Sequence, residues 1–192
     1  MQIQTQKRQY TPEEYLQLEE ISEYKNEYLD GEIVPMAGGT TNHNEIAGNF
    51  YANFKFRMRG KNYKIYMGDV KLSIPRYRIY TYPDVMIIPG EPIYEGTGTT
   101  TVTNPLIIAE VLSKSTETYD KISKFRYYRS LPTFQEYIMI DQYEYFVEQF
   151  HQNNDGQWVL TEYETKDAVL SLQTIDFQIS LNDIYEGLNF DL

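Results

Sequence analysis

The sequence predicts a mixed α/β or α+β domain, with helices and hairpins around a mixed β-sheet. The first observation is "PLIIAEVLS" at residues 105–113, a continuous apolar run typical of a strand covered on both faces. The second is a helical pattern followed by the apolar strand "FQEYIMID" at 134–141, which together make a crossover unit with parallel strands. The third is a helical spacing of apolar residues over 44–58.

The first third of the chain predicts a capped helix, a hairpin and a second helix. Thr11 is the expected cap, Pro12 takes the first helical position and Glu14 completes a capping box. Asp30-Gly31 predicts a two-residue turn between short strands. The stretch "AGGTTNHN" predicts a loop before the helix over 44–58.

The rest of the chain predicts alternating strands and loops. Two strands are expected around Gly68, and "YPDVMIIP" predicts a strand with Pro83 at its start. Residues 91–104 predict a loop rich in Gly and Thr. The crossover helix is expected to start at Ser115 or Thr116 and to end at Leu131 and Pro132, and a hairpin with Asp155-Gly156 at its turn follows. A short helix near "SLNDIYEGL" is expected last.

Composition indicates one globular domain spanning 1–192. Of the 192 residues, 41% are hydrophobic and 23% charged, as in ordinary folded proteins. Cysteine is absent, which excludes disulfides, thiolate metal sites and cysteine nucleophiles and is consistent with a cytoplasmic location. No membrane span or signal peptide is expected, because the sequence has neither a long apolar run nor a basic-then-apolar start.

The charge distribution is uneven. The net charge is −11, yet residues 51–78 and 114–129 carry 13 of the 17 basic residues. Residues 130–192 hold Lys166 as their one base against twelve acids. A basic face for phosphates and an ordinary solvated face are equally compatible with this pattern.

Two carboxylates interrupt the most apolar segments. Asp84 lies in "YPDVMIIPG" and Glu110 in "LIIAEVLSKST". Strand alternation places Ile108, Glu110 and Leu112 on one face. If the Asp84 strand lies beside the Glu110 strand, the two acids converge and can bind a hard cation such as Mg²⁺ or Mn²⁺. The alternative is structural: Asp84 bonds turn amides, and Glu110 pairs with a core arginine.

Three ordered motifs carry a family resemblance. "YPDVMII", "LIIAEVLSKST" and "YDKISKFRYYRSLPTFQEYIMID" resemble the Uma-type family of putative restriction endonucleases, bacterial proteins abundant in cyanobacteria. The likeness extends back through "EYLDGEIVPMAGGTTNHNEIAGNF" and covers roughly residues 10–145. The family is assigned to the PD-(D/E)XK nuclease superfamily. The resemblance therefore implies a restriction-endonuclease-like mixed central sheet flanked by helices, with added hairpins, and metal-dependent hydrolysis of DNA.

The resemblance also implies roles for particular residues. Asp84 and Glu110 would be the motif acids and metal ligands, and the main-chain carbonyl of Val111 a further metal contact. The superfamily lysine should stand at position 112, which is Leu112 here. In the family that lysine is thought to come from the following helix, so Lys124 is expected to replace it.

The same helix offers details of that replacement. Lys121 is the second choice for the lysine. Helical spacing predicts Asp120, Lys124 and Tyr127 on one side. A Lys124→Ala variant is expected to lose cleavage and to keep its fold and metal binding.

Auxiliary residues are also expected from the matched motifs. Glu27 and Glu32 could add an acid, with hairpin surface charge as the alternative. His43 could approach a phosphate or metal, or form a helix-start hydrogen bond. Lys55, Arg57 and Arg59 are the expected DNA contacts.

The leading functional interpretation is an Mg²⁺-dependent DNA endonuclease, which by analogy would act as a homodimer. The second is a catalytically silent binding module that keeps the fold, favoured by the net charge and by Leu112. An unrelated carboxylate-pair hydrolase, such as a glycosidase, is the third, but it would not require basic segments on either side of the acids.

Overall fold

The computed structural model describes residues 8–114 and 117–190, and its centre is a six-stranded sheet. The helices are α1 Pro12–Glu20, α2 Thr41–Arg57, α3 Phe125–Tyr128 and α4 Leu181–Ile184. The strands are β1 Asn26–Leu29, β2 Glu32–Pro35, β3 Tyr63–Met67, β4 Lys71–Ile74, β5 Ile79–Thr81, β6 Val85–Pro89, β7 Thr101–Val102, β8 Ile107–Leu112, β9 Glu136–Asp141, β10 Val147–Gln152, β11 Trp158–Tyr163, β12 Val169–Ser171 and β13 Gln178–Ser180.

The strands form three sheets. The central sheet has the order β11-β10-β9-β8-β6-β3, a second sheet has the order β2-β1-β5-β4-β7, and β12 pairs with β13. β8 and β9 are parallel, as the crossover pattern predicts, while β6 and β8 are antiparallel. The central sheet is therefore mixed, and its two innermost apolar strands lie side by side.

Both faces of the central sheet are covered, which explains why β8 is apolar throughout. One face packs against α2, α4 and the β12–β13 pair, with Phe50 and Phe54 among its buried residues. The other face packs against α3 and the second sheet. Along β8, Ile107, Ala109 and Val111 join the first cluster and Ile108 and Leu112 the second, as strand alternation predicts.

Local signals predicted the first elements well. Thr11 caps α1 in a complete capping box with Glu14, and Pro12 is its first residue. Asp30 and Gly31 both have positive φ angles, 44° and 107°, which a tight turn between β1 and β2 requires. The loop predicted before α2 is too long, since Thr40 caps the helix and α2 begins at Thr41.

The crossover helix differs most from its predicted form. The caps expected at Ser115 and Thr116 lie outside the described residues. Residues Tyr119–Lys124 form a π-helical turn, which the α-helical residues Phe125–Tyr128 follow. The wider π turn changes which residues share a face, and such turns are frequent at functional sites. In the described part of the chain, no helix is long and apolar enough to cross a membrane.

Candidate active site

Asp84 and Glu110 meet across the β6–β8 pair. The register pairs Val85 with Ala109, so one step back places Asp84 opposite Glu110. The Asp84 amide donates to Glu110 Oε2 at 3.2 Å, and the Val111 amide donates to Asp84 Oδ2 at 2.8 Å. The convergence expected from the sequence is therefore observed, and it follows from strand pairing alone.

The alternative in which Asp84 accepts hydrogen bonds from turn amides is observed in part. Its Oδ2 accepts from a backbone amide, but that amide belongs to Val111 on the neighbouring strand rather than to a turn. The prediction that Glu110 pairs with an arginine is wrong, because Lys124 and Tyr128 are its partners.

Lys124 provides the positive charge beside Glu110. Its Nζ lies 3.1 Å from Glu110 Oε1 and 3.0 Å from Asp120 Oδ1. The Lys124 side chain is only 11% exposed, so the three groups form a nearly dry cluster. The structure thus brings Lys124 to the acid that lacks the usual lysine two residues along its strand.

Leu112 cannot be replaced by a lysine without cost. It is buried on the same sheet face as Glu110, within the apolar cluster that includes Phe125 and Tyr137. An ammonium there would lie among hydrocarbon side chains, where an unpaired charge is unfavourable. Lys124 reaches the same carboxylate from the adjacent helix, where Glu110 and Asp120 compensate for its burial.

Tyr128 is a site residue that the sequence argument missed. Its hydroxyl donates to Glu110 Oε1 at 2.6 Å, whereas the predicted Tyr127 instead packs against Tyr77 with ring centroids 4.9 Å apart. Asp120, Lys124 and Tyr128 lie at intervals of four residues and all belong to this cluster. A helical spacing of four rather than three beyond Lys124 would have identified Tyr128.

His43 lies on the other side of the aspartate. It is in the first turn of α2, and its Nε2 is 3.1 Å from Asp84 Oδ2. Burial lowers the pKa of His43, but the hydrogen bond and charge of Asp84 outweigh this and raise the pKa overall. Of the expected auxiliary residues, His43 therefore contacts a motif acid directly.

The other auxiliary residues are Glu27, Glu32 and Lys121. Glu27 accepts a hydrogen bond from the Thr81 hydroxyl, and its charge helps to raise the pKa of Lys124. Glu32 pairs with Leu29 in the β1–β2 hairpin. Lys121 forms ion pairs with Glu117 at 3.2 Å and Glu148 at 2.7 Å, so its charge is paired with acids other than Glu110.

The protonation pattern follows from burial and from the count of charges. Burial raises the pKa of Glu110 to about 8, and Asp84 and Asp120 add to the rise while Lys124 opposes it. Burial also raises the pKa of Asp84, but His43 and Lys124 reverse the effect and the result is lowered. Burial opposes the charge on Lys124, yet Glu110 and Asp120 hold its pKa well above the ordinary value. Burial thus favours the protonated form of Glu110, while the neighbouring carboxylates favour the charged form of Lys124.

The expected DNA contacts lie at the far end of α2. Lys55 and Arg59 line a groove of about 500 Å³ that also includes Lys61. Arg57 is not part of it, since its guanidinium is 2.8 Å from Asp183 and also donates to the Gln178 carbonyl. Twelve residues separate His43 from Lys55, which is about 18 Å along a helix.

A mixed sheet flanked by helices, with an aspartate just before one strand, a glutamate on the adjacent strand and a helix-borne lysine paired with that glutamate, has the architecture of a nuclease-like α+β domain. The crystal structure of a putative nuclease belonging to DUF820 from Anabaena variabilis shares this fold, with a TM-score of 0.74 over 92% of this chain and 97% of that chain. The two sequences are 17% identical.

Sequence comparison identifies the family. Residues 12–182 match the family Uma2, described as a putative restriction endonuclease, and the chain belongs to that family. It is 42% identical over 158 residues to the uncharacterized protein sll1609 of Synechocystis, covering 82% of this chain and 89% of that one. It is 37% identical over 180 residues to slr1290 of the same organism, covering 94% and 93%. The resemblance drawn from the motifs is confirmed.

Proposed function

We propose that this protein is a metal-dependent endonuclease that hydrolyses phosphodiester bonds of DNA at Asp84 and Glu110. The observation that carries the proposal is the direct juxtaposition of these two carboxylates across β6 and β8, with Lys124 Nζ 3.1 Å from Glu110. Membership of a family described as putative restriction endonucleases supports the same reaction class.

The donor set suits Mg²⁺ or Mn²⁺. Asp84 and Glu110 offer hard carboxylate oxygens, and the Val111 carbonyl is the proposed further ligand. No group of three or more His, Cys, Asp or Glu side chains positioned to hold a metal occurs among residues 8–114 and 117–190, so water and phosphate oxygens would complete the shell. The pKa of Glu110, raised to about 8, marks a buried acid that an adjacent cation would ionise.

A bound cation would activate water and neutralise charge on the phosphodiester. The chain's own residues have separate tasks. Lys124 stays protonated because its pKa is raised, so it acts as a charged donor to phosphate or water rather than as a base. Tyr128 fixes Glu110 from the side opposite the strand, and His43 fixes Asp84.

The silent binding module is the second candidate. One observation favours it: Glu110 already has Lys124 and Tyr128 as partners, so its burial is compensated without any cation. Cleavage assays and cation titration separate the two functions.

The first experiment combines cleavage with cation binding. The wild type should cut plasmid, single-stranded or branched DNA with Mg²⁺ or Mn²⁺, and Asp84→Asn should lose both cleavage and most cation binding by calorimetry. Asn keeps the size of Asp and removes the charge that a cation needs. Asp69→Asn is the matched control, since Asp69 is exposed and pairs with Lys25 at 2.8 Å. Equal cation binding by wild type and Asp84→Asn would remove Asp84 from the site.

A second experiment concerns DNA contact at the end of α2. Lys55→Ser and Arg59→Ser together should weaken DNA binding and reduce its salt dependence, because both side chains line the groove unpaired with any described carboxylate. Arg57→Ser alone should change binding little and lower stability, since Arg57 is engaged by Asp183. Fluorescence anisotropy at several salt concentrations measures the first effect and thermal unfolding the second. Unchanged binding by the double variant would make this groove an ordinary solvated surface.

A further inference from the structure

A cluster of arginines and tyrosines lies beside the candidate active site. Arg76 and Tyr77 come from the turn of 3-10 helix Pro75–Tyr77, and Arg126, Tyr127 and Arg129 come from α3 and the residue after it. The Tyr77 and Tyr127 rings are 4.9 Å apart and tilted by 54°. These five residues are the arginine–tyrosine patch, and they join the two basic stretches that are far apart in the sequence.

The patch arginines lie over aromatic rings, within the range of cation–π contacts. The Arg126 guanidinium carbon lies 5.7 Å from the Tyr77 ring centroid and 5.2 Å from that of Tyr127. Arg76 lies 5.8 Å from the Tyr77 ring. Arg129 lies 4.6 Å from the ring of Phe125. Stacking restrains each guanidinium and leaves its N–H groups at the edge free to donate.

None of the three arginines has a carboxylate partner among the described residues. Among the described residues, three arginines outside the patch form ion pairs: Arg8 with Glu14, Arg57 with Asp183 and Arg78 with Asp30. The chain has 28 acidic residues against 17 basic ones, so an acid-free patch of three exposed arginines is not explained by a shortage of acids. The patch is a site of local positive potential on an acidic protein.

The patch adjoins the acid pair through one helix. Lys124, which contacts Glu110, is two residues before Arg126, about 3 Å along a helix axis. Tyr127 faces the patch while its neighbour Tyr128 faces Glu110. Two sides of one short helical segment therefore contact the acid pair and the patch, so DNA bound at the acid pair would extend across that segment to reach the arginines.

We propose that the arginine–tyrosine patch holds the phosphate backbone of the DNA whose cleaved phosphate is bound at Asp84 and Glu110. This inference rests on the proposed function, and it assigns the arginine–tyrosine patch as a surface that the DNA substrate contacts. Stacked guanidinium groups are suited to phosphate because their forked donors match two oxygens at once. The patch carries no group that distinguishes bases, so it positions DNA without reading its sequence.

The test measures DNA binding without any divalent cation, so that it does not depend on catalysis. Fluorescence anisotropy with a labelled 20-base-pair duplex would follow the wild type and the double variant Arg76→Gln and Arg126→Gln between about 50 and 200 mM salt. The slope of log affinity against log salt should fall in magnitude by about 2 for the loss of two phosphate contacts. Arg8→Gln with Arg78→Gln is the matched control, because it changes the net charge equally at arginines already paired with acids. Its slope should equal that of the wild type.

Three results would overturn the proposal. The first is an equal slope for wild type and the Arg76 and Arg126 variant. The second is a lower melting temperature with unchanged DNA binding, which would mean that the arginines only tie the 3-10 turn to α3. The third is a wild type that binds no DNA. A wild type that loses slope on Arg76 and Arg126 substitution but never cleaves DNA would support the patch while refuting the nuclease function.

Discussion

Replacing Lys124 by Met should reduce cleavage of DNA by about 100-fold or more, because it removes the charged donor nearest to Glu110. Met keeps the length and apolar stem of the lysine. Lys121→Met is the matched control, since Lys121 is on the same helical segment but pairs with Glu117 and Glu148. Single-turnover cleavage with Mg²⁺ measures both, and a wild-type rate for Lys124→Met would refute the assignment of this lysine.

The buried position of Lys124 also leads us to expect that its loss lowers the stability of the fold, an effect that the sequence alone did not indicate. Lys124 is buried between Glu110 and Asp120, and removing one partner of a buried ion pair typically costs about 3–5 kcal/mol. A second variant, Lys124→Met with Asp120→Asn, restores the charge balance. It should regain much of the lost stability in urea unfolding and still fail to cleave. Recovery of cleavage in this variant would show that Lys124 acts only by stabilising the site.

Cation binding should strengthen steeply with pH up to about 8. Burial raises the pKa of Glu110 to about 8, so below that pH a cation must displace a proton to bind. Affinity should therefore fall by about 10-fold for each pH unit below the pKa of Glu110. Calorimetry in two buffers of different ionisation enthalpy should also detect close to one proton released per cation at pH 6 to 7. Constant affinity across pH 6 to 9 would contradict this.

The same proton has a consequence for stability in the absence of divalent cations. The ordinary pKa of Glu110 is 4.5 and its folded value is about 8, so the folded state holds a proton that the unfolded state releases. The contribution of Glu110 to stability is therefore largest at low pH and is lost as the pH rises from 4.5 to 8. Glu110→Gln should remove this slope from urea-unfolding data. A wild-type slope in the variant would assign the effect to another group.

The sequence predicted the centre of the fold because local and periodic signals agree there. The apolar run of β8, the crossover to β9 and the face alternation along β8 are all observed. Strand alternation also fixed the side of β8 from which Glu110 projects. The convergence with Asp84 needed only the additional fact that β6 neighbours β8.

The parts that the sequence did not predict depend on backbone geometry that no local pattern encodes. The π turn at Tyr119–Lys124 interrupts the expected helix, and Tyr128 rather than Tyr127 binds Glu110. Thr40 lies in a polar stretch typical of a loop, yet its side chain accepts from the His43 amide and starts α2 earlier than predicted. Arg57 has the helical position of a surface base, and only the packing of α4 turns it towards Asp183.

Because Lys124 comes from a helix and not from β8, docking of that helix also brings the countercharge to Glu110. A lysine on β8 would travel with Glu110 through every stage of folding. Here the countercharge arrives only when the segment bearing Asp120, Lys124 and Tyr128 docks on the sheet. Docking of the helix and pairing of the buried acid are therefore coupled, and a partly folded chain without that helix would leave Glu110 without Lys124 and Tyr128.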